Sequence, residues 1–154
     1  MCGIVAASAR RNIRDILING LHTLEYRGYD SAGIALQQDG YLARERSAGK
    51  VRDLEALISS SPVDSHCGIS HTRWATHGRP SDENAHPHRS EHVTVVHNGI
   101  IENHLELRSR LQKKGFSFQS DTDTEIIPLL IESHLSSSSS FEEAVRRAIA
   151  DLRG

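Results

Sequence analysis

Cys2-Gly3-Ile4-Val5-Ala6-Ala7-Ser8 is the stretch from which the fold can be worked out. Gly3–Ser8 is a short apolar run followed by the polar Arg10-Arg11-Asn12, the pattern of a buried strand that would hold Cys2 at its end. Cysteine is often buried, so core packing is one interpretation of Cys2. The other is catalytic, because loss of Met1 would leave a thiol and a free α-amine on one residue. Such an amine titrates at about 7.7–8.0 and can accept the thiol proton near neutral pH.

The hydrophobic pattern of residues 12–72 predicts a helix, a hairpin, a second helix and a strand. The first helix has Asn12 as its N-cap and Gly28 as its stop, and its apolar positions are Ile13, Ile16, Leu17, Leu21 and Leu24. Asp39-Gly40 accepts the positive φ angles of a tight turn and joins the hairpin strands. The later elements are strands Ala32–Gln38 and Tyr41–Ser47, helix Val51–Ser60 and strand Cys67–Thr72.

Residues 93–119 predict a strand, a helix and a second strand. The first strand is Val93–His97, and the helix is capped by Asn103 and ends at Gly115. Phe116–Gln119 is the second strand.

The last third of the chain predicts two more helices. One begins at Thr122 or Asp123 and contains Pro128 beyond its first turn, so we expect a kink or a lost hydrogen bond there. Ser136–Ser140 is a loop, and Ser140 caps a final helix. The apolar face of that helix is predicted to carry Phe141, Val145, Ile149 and Leu152. Mixed helices and hairpins without a βαβ rhythm indicate the α+β class.

Residues 73–91 contain Trp74, two prolines and several histidines without apolar periodicity, and therefore predict a long loop. Eight of the ten histidines lie between His66 and His104, so a metal-binding protein has to be considered. His86-Pro87-His88 is poorly spaced for one ion, and no Cys-x-x-Cys or His-Glu-x-x-His motif accompanies it. We therefore predict that no metal is bound for catalysis.

Composition narrows the class of protein. The chain has 154 residues, 18 Lys and Arg against 20 Asp and Glu, and a net charge of −2, which argues against nucleic acid or an anionic membrane as a partner. The apolar stretches are too short to cross a bilayer, and the two cysteines form no disulfide framework. We therefore expect one cytoplasmic domain over residues 1–154, with Cys67 as a buried structural thiol.

Three polar features each allow a structural and a functional interpretation. Asn98-Gly99 is typical of a hairpin turn, but an amide beside a backbone N–H without a Cβ can also hold an oxyanion. Arg73 is either a solvated charge or a fork that binds a carboxylate through two parallel bonds. Asp123 is either a helix cap or the partner of an ammonium group.

Together with Cys2, these features resemble one family. The matching stretches are CGIV from Cys2, LEYRGYDSAG from Leu24, HTRWATHG from His71, NAHPH from Asn84, HNGIIEN from His97 and SDTDTE from Ser120. They resemble, in this order, the glutaminase domains of the glutamine:fructose-6-phosphate aminotransferase family. The resemblance runs from Cys2 to Gly154.

The resemblance implies a four-layer α-β-β-α N-terminal nucleophile hydrolase fold. It also implies hydrolysis of glutamine to glutamate and ammonia through a Cys2 thioester, with Asn98 and Gly99 holding the oxyanion. The implied substrate-binding residues are Arg73 for the α-carboxylate, Asp123 for the α-ammonium group, and Thr76 and His77 in a glutamine loop. Trp74 is similar to the family's gate on ammonia passage, and Arg27 and His86 match positions that order the site. No cofactor or metal is implied.

In that family the glutaminase domain continues into further strands and then into sugar-isomerase domains, neither of which this chain contains. We therefore expect the N-terminal part of a glutaminase domain, with a fold incomplete at its C-terminal end. Exposed sheet edges would favour a homo-oligomer. The competing hypothesis is a non-catalytic fragment or glutamine-binding module of the same family.

Overall fold

A computed structural model describes residues 2–59, 64–75 and 78–154. It divides into two compact units, and each is described by itself. The first unit is Met1–Pro87 with Val96–Asn98, and the second is His88–Val95 with Gly99–Gly154. Both combine helices with antiparallel strand pairs, in agreement with the predicted α+β class.

The first unit contains a four-stranded antiparallel sheet and two helices. Its elements are β1 Gly3–Ser8, α1 Arg14–Leu24, a 3₁₀ turn at Glu25–Arg27, β2 Ser31–Gln38, β3 Tyr41–Ala48, α2 Val51–Ser59 and β4 Cys67–Arg73. The strand order is β1-β4-β2-β3. Asp39 and Gly40 have φ angles of 46° and 86°, which confirms the predicted tight turn between β2 and β3.

One face of this sheet packs against α1 and α2. Ala32, Ile34 and Leu36 occupy alternate positions of β2 and form a core with the apolar stripes of both helices. The helix residues of this core are Leu17, Ile18, Leu21, Val51, Leu54 and Ile58, with Ile13 just before α1. The periodicity of the sequence therefore predicted this core correctly.

The opposite face of the sheet carries polar and small residues. Gly33 of β2 pairs with His71 of β4 on one side and with Arg46 of β3 on the other, and Arg73 follows His71 two residues later on the same face. His71 and Arg73 are both buried. The alternation of β4 therefore directs its small residues toward the helices and places His71 and Arg73 on the opposite face.

The second unit is built mainly from helices. Its elements are β5 His88–Arg89, β6 Thr94–Val95, α3 His104–Lys113, α4 Ile126–Leu135 and α5 Phe141–Asp151. Its core consists of Val93, Ile101, Leu107, Leu111, Ile126, Leu129, Leu130, Ile131, Ala144 and Ala148. The strand predicted at Val93–His97 corresponds to β6, which is only two residues long. Strand β5 lies near the end of the predicted loop.

The strand predicted at Phe116–Gln119 is wrong, since these residues have no regular secondary structure. The N–H groups of Gln119 and Ser120 donate to the carboxylate of Glu125 at 2.9 and 2.8 Å. Those N–H groups are therefore not available for strand pairing.

The predicted position of Pro128 beyond the first turn of its helix is also wrong. Helix α4 begins at Ile126, so Pro128 lies in its first turn, where a missing N–H costs little.

Burial differs from prediction at two further places. In α5 the core takes Ala144 and Ala148, while Phe141 and Ile149 of the predicted apolar face are exposed. The small alanines allow close approach of α5 to α4, which a stripe of larger residues would prevent. Cys67 is exposed rather than buried, because it begins β4 opposite the polar Ser8 and Gln37.

Side-chain capping differs between α3 and α5. Asn103 precedes α3 as predicted, but its amide donates to the carbonyl oxygen of Asp151 at 2.8 Å and accepts the N–H of Arg153 at 3.0 Å. It therefore ties the C-terminal segment to the start of α3 instead of capping the helix. Ser140 does cap α5 as predicted, since its hydroxyl oxygen accepts the N–H of Glu143 at 3.2 Å.

Replacing Ser140 with Ala should lower the free energy of unfolding by roughly 1 kcal/mol, because the first turn of α5 loses its cap. Ser136→Ala is the matched control, since this serine is exposed in the same run. Urea unfolding of both variants measures the difference. Equal stabilities would show that the Ser140 hydroxyl does not stabilise α5.

Candidate active site

In the first unit, the thiol of Cys2 lies against the main chain of Trp74. Cys2 directly precedes β1 and Trp74 follows β4, so the pairing of Gly3 with Thr72 brings them together. The Sγ atom accepts the N–H of Trp74 at 3.3 Å, and its S–H can donate to the Trp74 carbonyl oxygen at 3.7 Å. Cys2 is only partly buried, which does not fit core packing and leaves the thiol accessible.

The side-chain amide of Asn98 lies beside Cys2. Its Nδ2 atom donates to the carbonyl oxygen of Cys2 at 3.2 Å, and its Oδ1 atom is 2.9 Å from Nε2 of His71. Strand β6 pairs with β5 upstream, and the chain after Asn98-Gly99 runs toward α3. Among the described residues, no strand follows Asn98-Gly99 and pairs with β6. The interpretation of Asn98-Gly99 as a hairpin turn is therefore wrong.

His71 is fully buried and its ring stacks on that of His86, with ring centroids 4.2 Å apart. Burial lowers the pKa of His71 to about 4, and the positive charge of Arg73 acts in the same direction. His71 is therefore neutral at physiological pH and carries one ring N–H.

Arg73 ends β4 and is buried, with its Nη2 donating to the carbonyl oxygen of Gly78 at 3.2 Å. The LEYRGYDSAG turn packs directly against this end of β4. A Cβ on Gly28 would lie 2.7 Å from the Arg73 carbonyl carbon, and Asp30 Oδ2 accepts the N–H of Ala75 at 2.8 Å. The turn therefore shapes the backbone on both sides of Trp74.

Two other predicted residues lie near this turn. Arg27 ends the 3₁₀ turn and is partly buried. The Trp74 ring is 45% exposed and stands edge-on to Tyr29, with centroids 5.5 Å apart. The main chain of this exposed aromatic residue contacts the Cys2 thiol, and its gating role remains a prediction.

The loop that carries His86 is held over the sheet by two arginines of β3. Arg46 donates to the carbonyl oxygens of Glu83 and Ala85 at 2.9 and 3.0 Å, and Arg44 donates to that of Pro87 at 3.3 Å. Gly33 permits this approach, since a Cβ there would lie 2.0 Å from the carbonyl oxygen of His86. Residues 83–87 are thus packed against the sheet of the first unit.

The second unit contains Gly99 and Asp123. Asp123 is buried, and its Oδ2 atom accepts the N–H of Ile101 at 2.7 Å. Gly99 lies two residues before Ile101, at the start of the segment that leads to α3. Asp123 precedes α4 without being its N-cap residue, which is Glu125.

A buried polar chain surrounds Asp123. Nε2 of His88 is 2.9 Å from Thr122 Oγ1, which is 3.0 Å from Ser120 Oγ, and Ser120 Oγ donates to Glu125 Oε2 at 2.7 Å. These residues fix the backbone on both sides of Asp123. Sequence reasoning did not identify this chain, although three of its four residues belong to the SDTDTE motif.

His71 was likewise not predicted as a site residue, although it begins the HTRWATHG motif. Its position on the same face of β4 as Arg73 is the signal that could have found it. Thr76 and His77, predicted to bind glutamine, lie outside the described residues.

One group of described side chains could hold a metal ion. The ligand atoms of Glu91, His92 and Glu132 all lie within 4.8 Å of one another. Glu132 already accepts hydrogen bonds from His92 Nδ1 and the Ser90 hydroxyl, both at 2.7 Å, and the hydrogen bond that His92 donates to Glu132 raises the pKa of His92. We interpret this group as the contact that joins the β5–β6 turn to α4.

Comparison with known proteins identifies the family. Residues 71–154 match the family model of the glutamine amidotransferase domain. This chain belongs to that family. The amidotransferase domain is 54% identical over its whole length to glutamine–fructose-6-phosphate aminotransferases of Shigella flexneri, Escherichia coli K12 and Haemophilus influenzae. It spans about a quarter of their length, 26%, 26% and 25% respectively.

Solved structures confirm the predicted fold class. The glutamine phosphoribosylpyrophosphate amidotransferase of B. subtilis matches all of this amidotransferase domain with a TM-score of 0.84 and 26% identity, over 33% of its own chain. A structure described as the allosteric regulatory enzyme of purine biosynthesis matches with a TM-score of 0.85, also at 26% identity, over 34% of its chain. No helix among the described residues is long and apolar enough to cross a membrane.

The buried His71 should make stability depend on pH. Its pKa is lowered from 6.5 to about 4, so between these values the unfolded chain binds more protons than the folded one. As the pH is lowered through this window, the free energy of unfolding should decrease by up to about 1.4 kcal/mol per pH unit, and this dependence should level off below about pH 4. Urea unfolding of the wild type and of His71→Gln at several pH values isolates the effect. Parallel pH profiles would contradict it.

Proposed function

We propose that this amidotransferase domain hydrolyses glutamine to glutamate and ammonia, with Cys2 as the nucleophile. The observation that carries the proposal is the position of the Asn98 amide, which donates to the carbonyl oxygen of Cys2 at 3.2 Å. An amide donor is thereby held beside a partly exposed thiol at the start of a strand. The names of the similar aminotransferases support the same activity.

In the proposed reaction, Met1 is removed and the α-amine of Cys2 takes the thiol proton. The sulfur attacks the side-chain carbonyl carbon of glutamine, and the negative charge that develops on oxygen is stabilised by the Asn98 side chain and the Gly99 N–H. The α-ammonium group then gives its proton to the departing nitrogen, so that ammonia leaves and a γ-glutamyl thioester forms. Water, deprotonated by the amine, cleaves the thioester to glutamate and restores the thiol.

The amino-acid end of glutamine would be recognised by charge. We assign its α-carboxylate to Arg73 and its α-ammonium group to Asp123, with Thr76 and His77 in the glutamine loop. The described surroundings support these roles, because both charged residues are buried and their backbones are braced by neighbouring turns. Arg27, His86 and Trp74 would order the site and control the passage of ammonia.

The whole protein would use the ammonia to make glucosamine 6-phosphate from fructose 6-phosphate. Residues 1–154 would be the N-terminal part of its glutaminase domain, followed by sugar-isomerase domains, in a homo-oligomer. A cytoplasmic location is part of the proposal, since a thiol nucleophile and the exposed Cys67 both suit reducing surroundings. No cofactor is needed for the glutaminase reaction.

A diazoketone analogue of glutamine should alkylate Cys2 and add one mass increment to the intact protein. Peptide mapping should locate the adduct at Cys2, and Cys2→Ala should abolish it. Cys67→Ser is the control and should still be labelled. Intact mass also reports Met1, because a chain that retains it has an amide in place of the α-amine and should react far more slowly. Labelling of a Met1-containing sample at an undiminished rate would contradict the proposed base.

Two substitutions separate turnover from substrate recognition. Asn98→Ala should reduce kcat by roughly 10²–10³, because it removes an oxyanion donor. Arg73→Lys should mainly raise KM, because an ammonium group cannot reproduce two parallel bonds to a carboxylate. Glutamate release at varied glutamine concentrations measures both. The roles are wrong if both variants change KM alone, and the non-catalytic alternative is favoured if the wild type binds glutamine without releasing glutamate.

A further inference from the structure

His71 and Asn98 form a buried contact at the proposed oxyanion donor. Nε2 of His71 is 2.9 Å from Asn98 Oδ1, while Asn98 Nδ2 donates to the carbonyl oxygen of Cys2 at 3.2 Å. The Asn98 amide is therefore held at both ends. One end is bound to the nucleophile's own backbone and the other to a histidine in the middle of β4.

The hydrogen-bonding chemistry of these partners determines the orientation of the Asn98 amide. A carbonyl oxygen can only accept, so the Asn98 NH₂ group must face Cys2 and its oxygen must face His71. An amide oxygen can also only accept, so Nε2 of His71 must carry the hydrogen. The Asn98 nitrogen has two hydrogens, and the Cys2 carbonyl uses one. Among the residues that the structure describes, the second has no acceptor, so it can serve the reacting carbonyl of a substrate.

We infer that His71 is a positioning residue, which fixes and polarises the Asn98 amide so that its second N–H is directed at the developing oxyanion. This role rests on the proposed glutaminase function. Without the bond from His71, the amide could rotate and present its oxygen where a donor is needed. The bond should also strengthen the N–H as a donor, because hydrogen bonds in a chain polarise one another.

The surroundings of His71 suit this role better than that of a proton carrier. The pKa of about 4, lowered by burial, keeps the ring neutral, and its Nε2–H is already engaged with Asn98. The ring cannot easily turn, since it stacks on His86 at an interplanar angle of 26° and its backbone pairs with Ile4 on one side and Gly33 on the other. A rigid neutral donor holds the amide in one orientation.

Steady-state kinetics of variants tests the inference. His71→Leu should lower kcat about tenfold with little change in KM, because it removes one hydrogen bond that acts in the transition state. His71→Gln keeps an N–H donor and should recover much of that loss. Leu54→Ala, in the core under α2, is the stability control and should lower the unfolding temperature while the folded fraction keeps its kcat. An unchanged kcat in His71→Leu, or a loss confined to KM, overturns the role.

A double variant shows whether His71 acts through Asn98. Once Asn98 is alanine, adding His71→Leu should lower kcat by less than twofold, because the amide it positions is gone. A further tenfold loss would mean that His71 acts elsewhere.

A spectroscopic measurement separates this inference from the proposed function. Nitrogen-15 NMR of the wild type should show His71 as the Nε2–H tautomer at neutral pH, and the Asn98 side-chain NH₂ resonances should shift in His71→Gln. An Nδ1–H tautomer overturns the inference even if glutamine is hydrolysed. If the Nε2–H tautomer is observed but the protein releases no glutamate from glutamine, the proposed function is wrong and the inferred hydrogen bond from His71 to Asn98 stands. The tautomer measurement needs only folded wild type, so it holds even if the His71 variants do not fold.

Discussion

The double pairing of β4 is the constraint on which the site of the first unit depends. β4 bonds to β1 on one side and to β2 on the other, in a register that sets His71 opposite both Ile4 and Gly33. The same register brings Cys2 beside Trp74 and leaves Arg73 at the strand end. A slip of one residue would turn His71 and Arg73 toward α1 and α2, and would bury charge in the apolar core.

Features that depend on neighbours in sequence could be predicted. The Asp39-Gly40 turn, the Ser140 cap and the apolar stripes of α1 and α2 follow from local φ preference, capping and helical spacing. The strand predicted at Phe116–Gln119 failed because a carboxylate several residues downstream takes the N–H groups of Gln119 and Ser120. The predicted apolar face of α5 was wrong because a hydrophobicity pattern does not show that alanine permits a closer contact between helices than phenylalanine.

The site was predictable only where motifs are distinctive. Residue type and family resemblance predict roles for Cys2, Arg73, Asn98 and Asp123. No local pattern links Asn98 with His71, 27 positions earlier, or with Cys2, 96 positions earlier. Such links follow from strand register and loop path. The chain His88-Thr122-Ser120-Glu125 was missed for the same reason, since each member alone reads as an ordinary polar residue.

The exposed position of Cys67 bears on oxidation chemistry. Ser8 pairs with Cys67 at one end of the sheet, and Cys2 directly precedes Gly3 at the other, so about six residues of extended strand separate the two thiols, or about 20 Å. A disulfide needs Cα atoms within about 7 Å of each other. A folded chain therefore cannot join Cys2 to Cys67 of the same molecule, so any disulfide formed through Cys67 has to link two molecules.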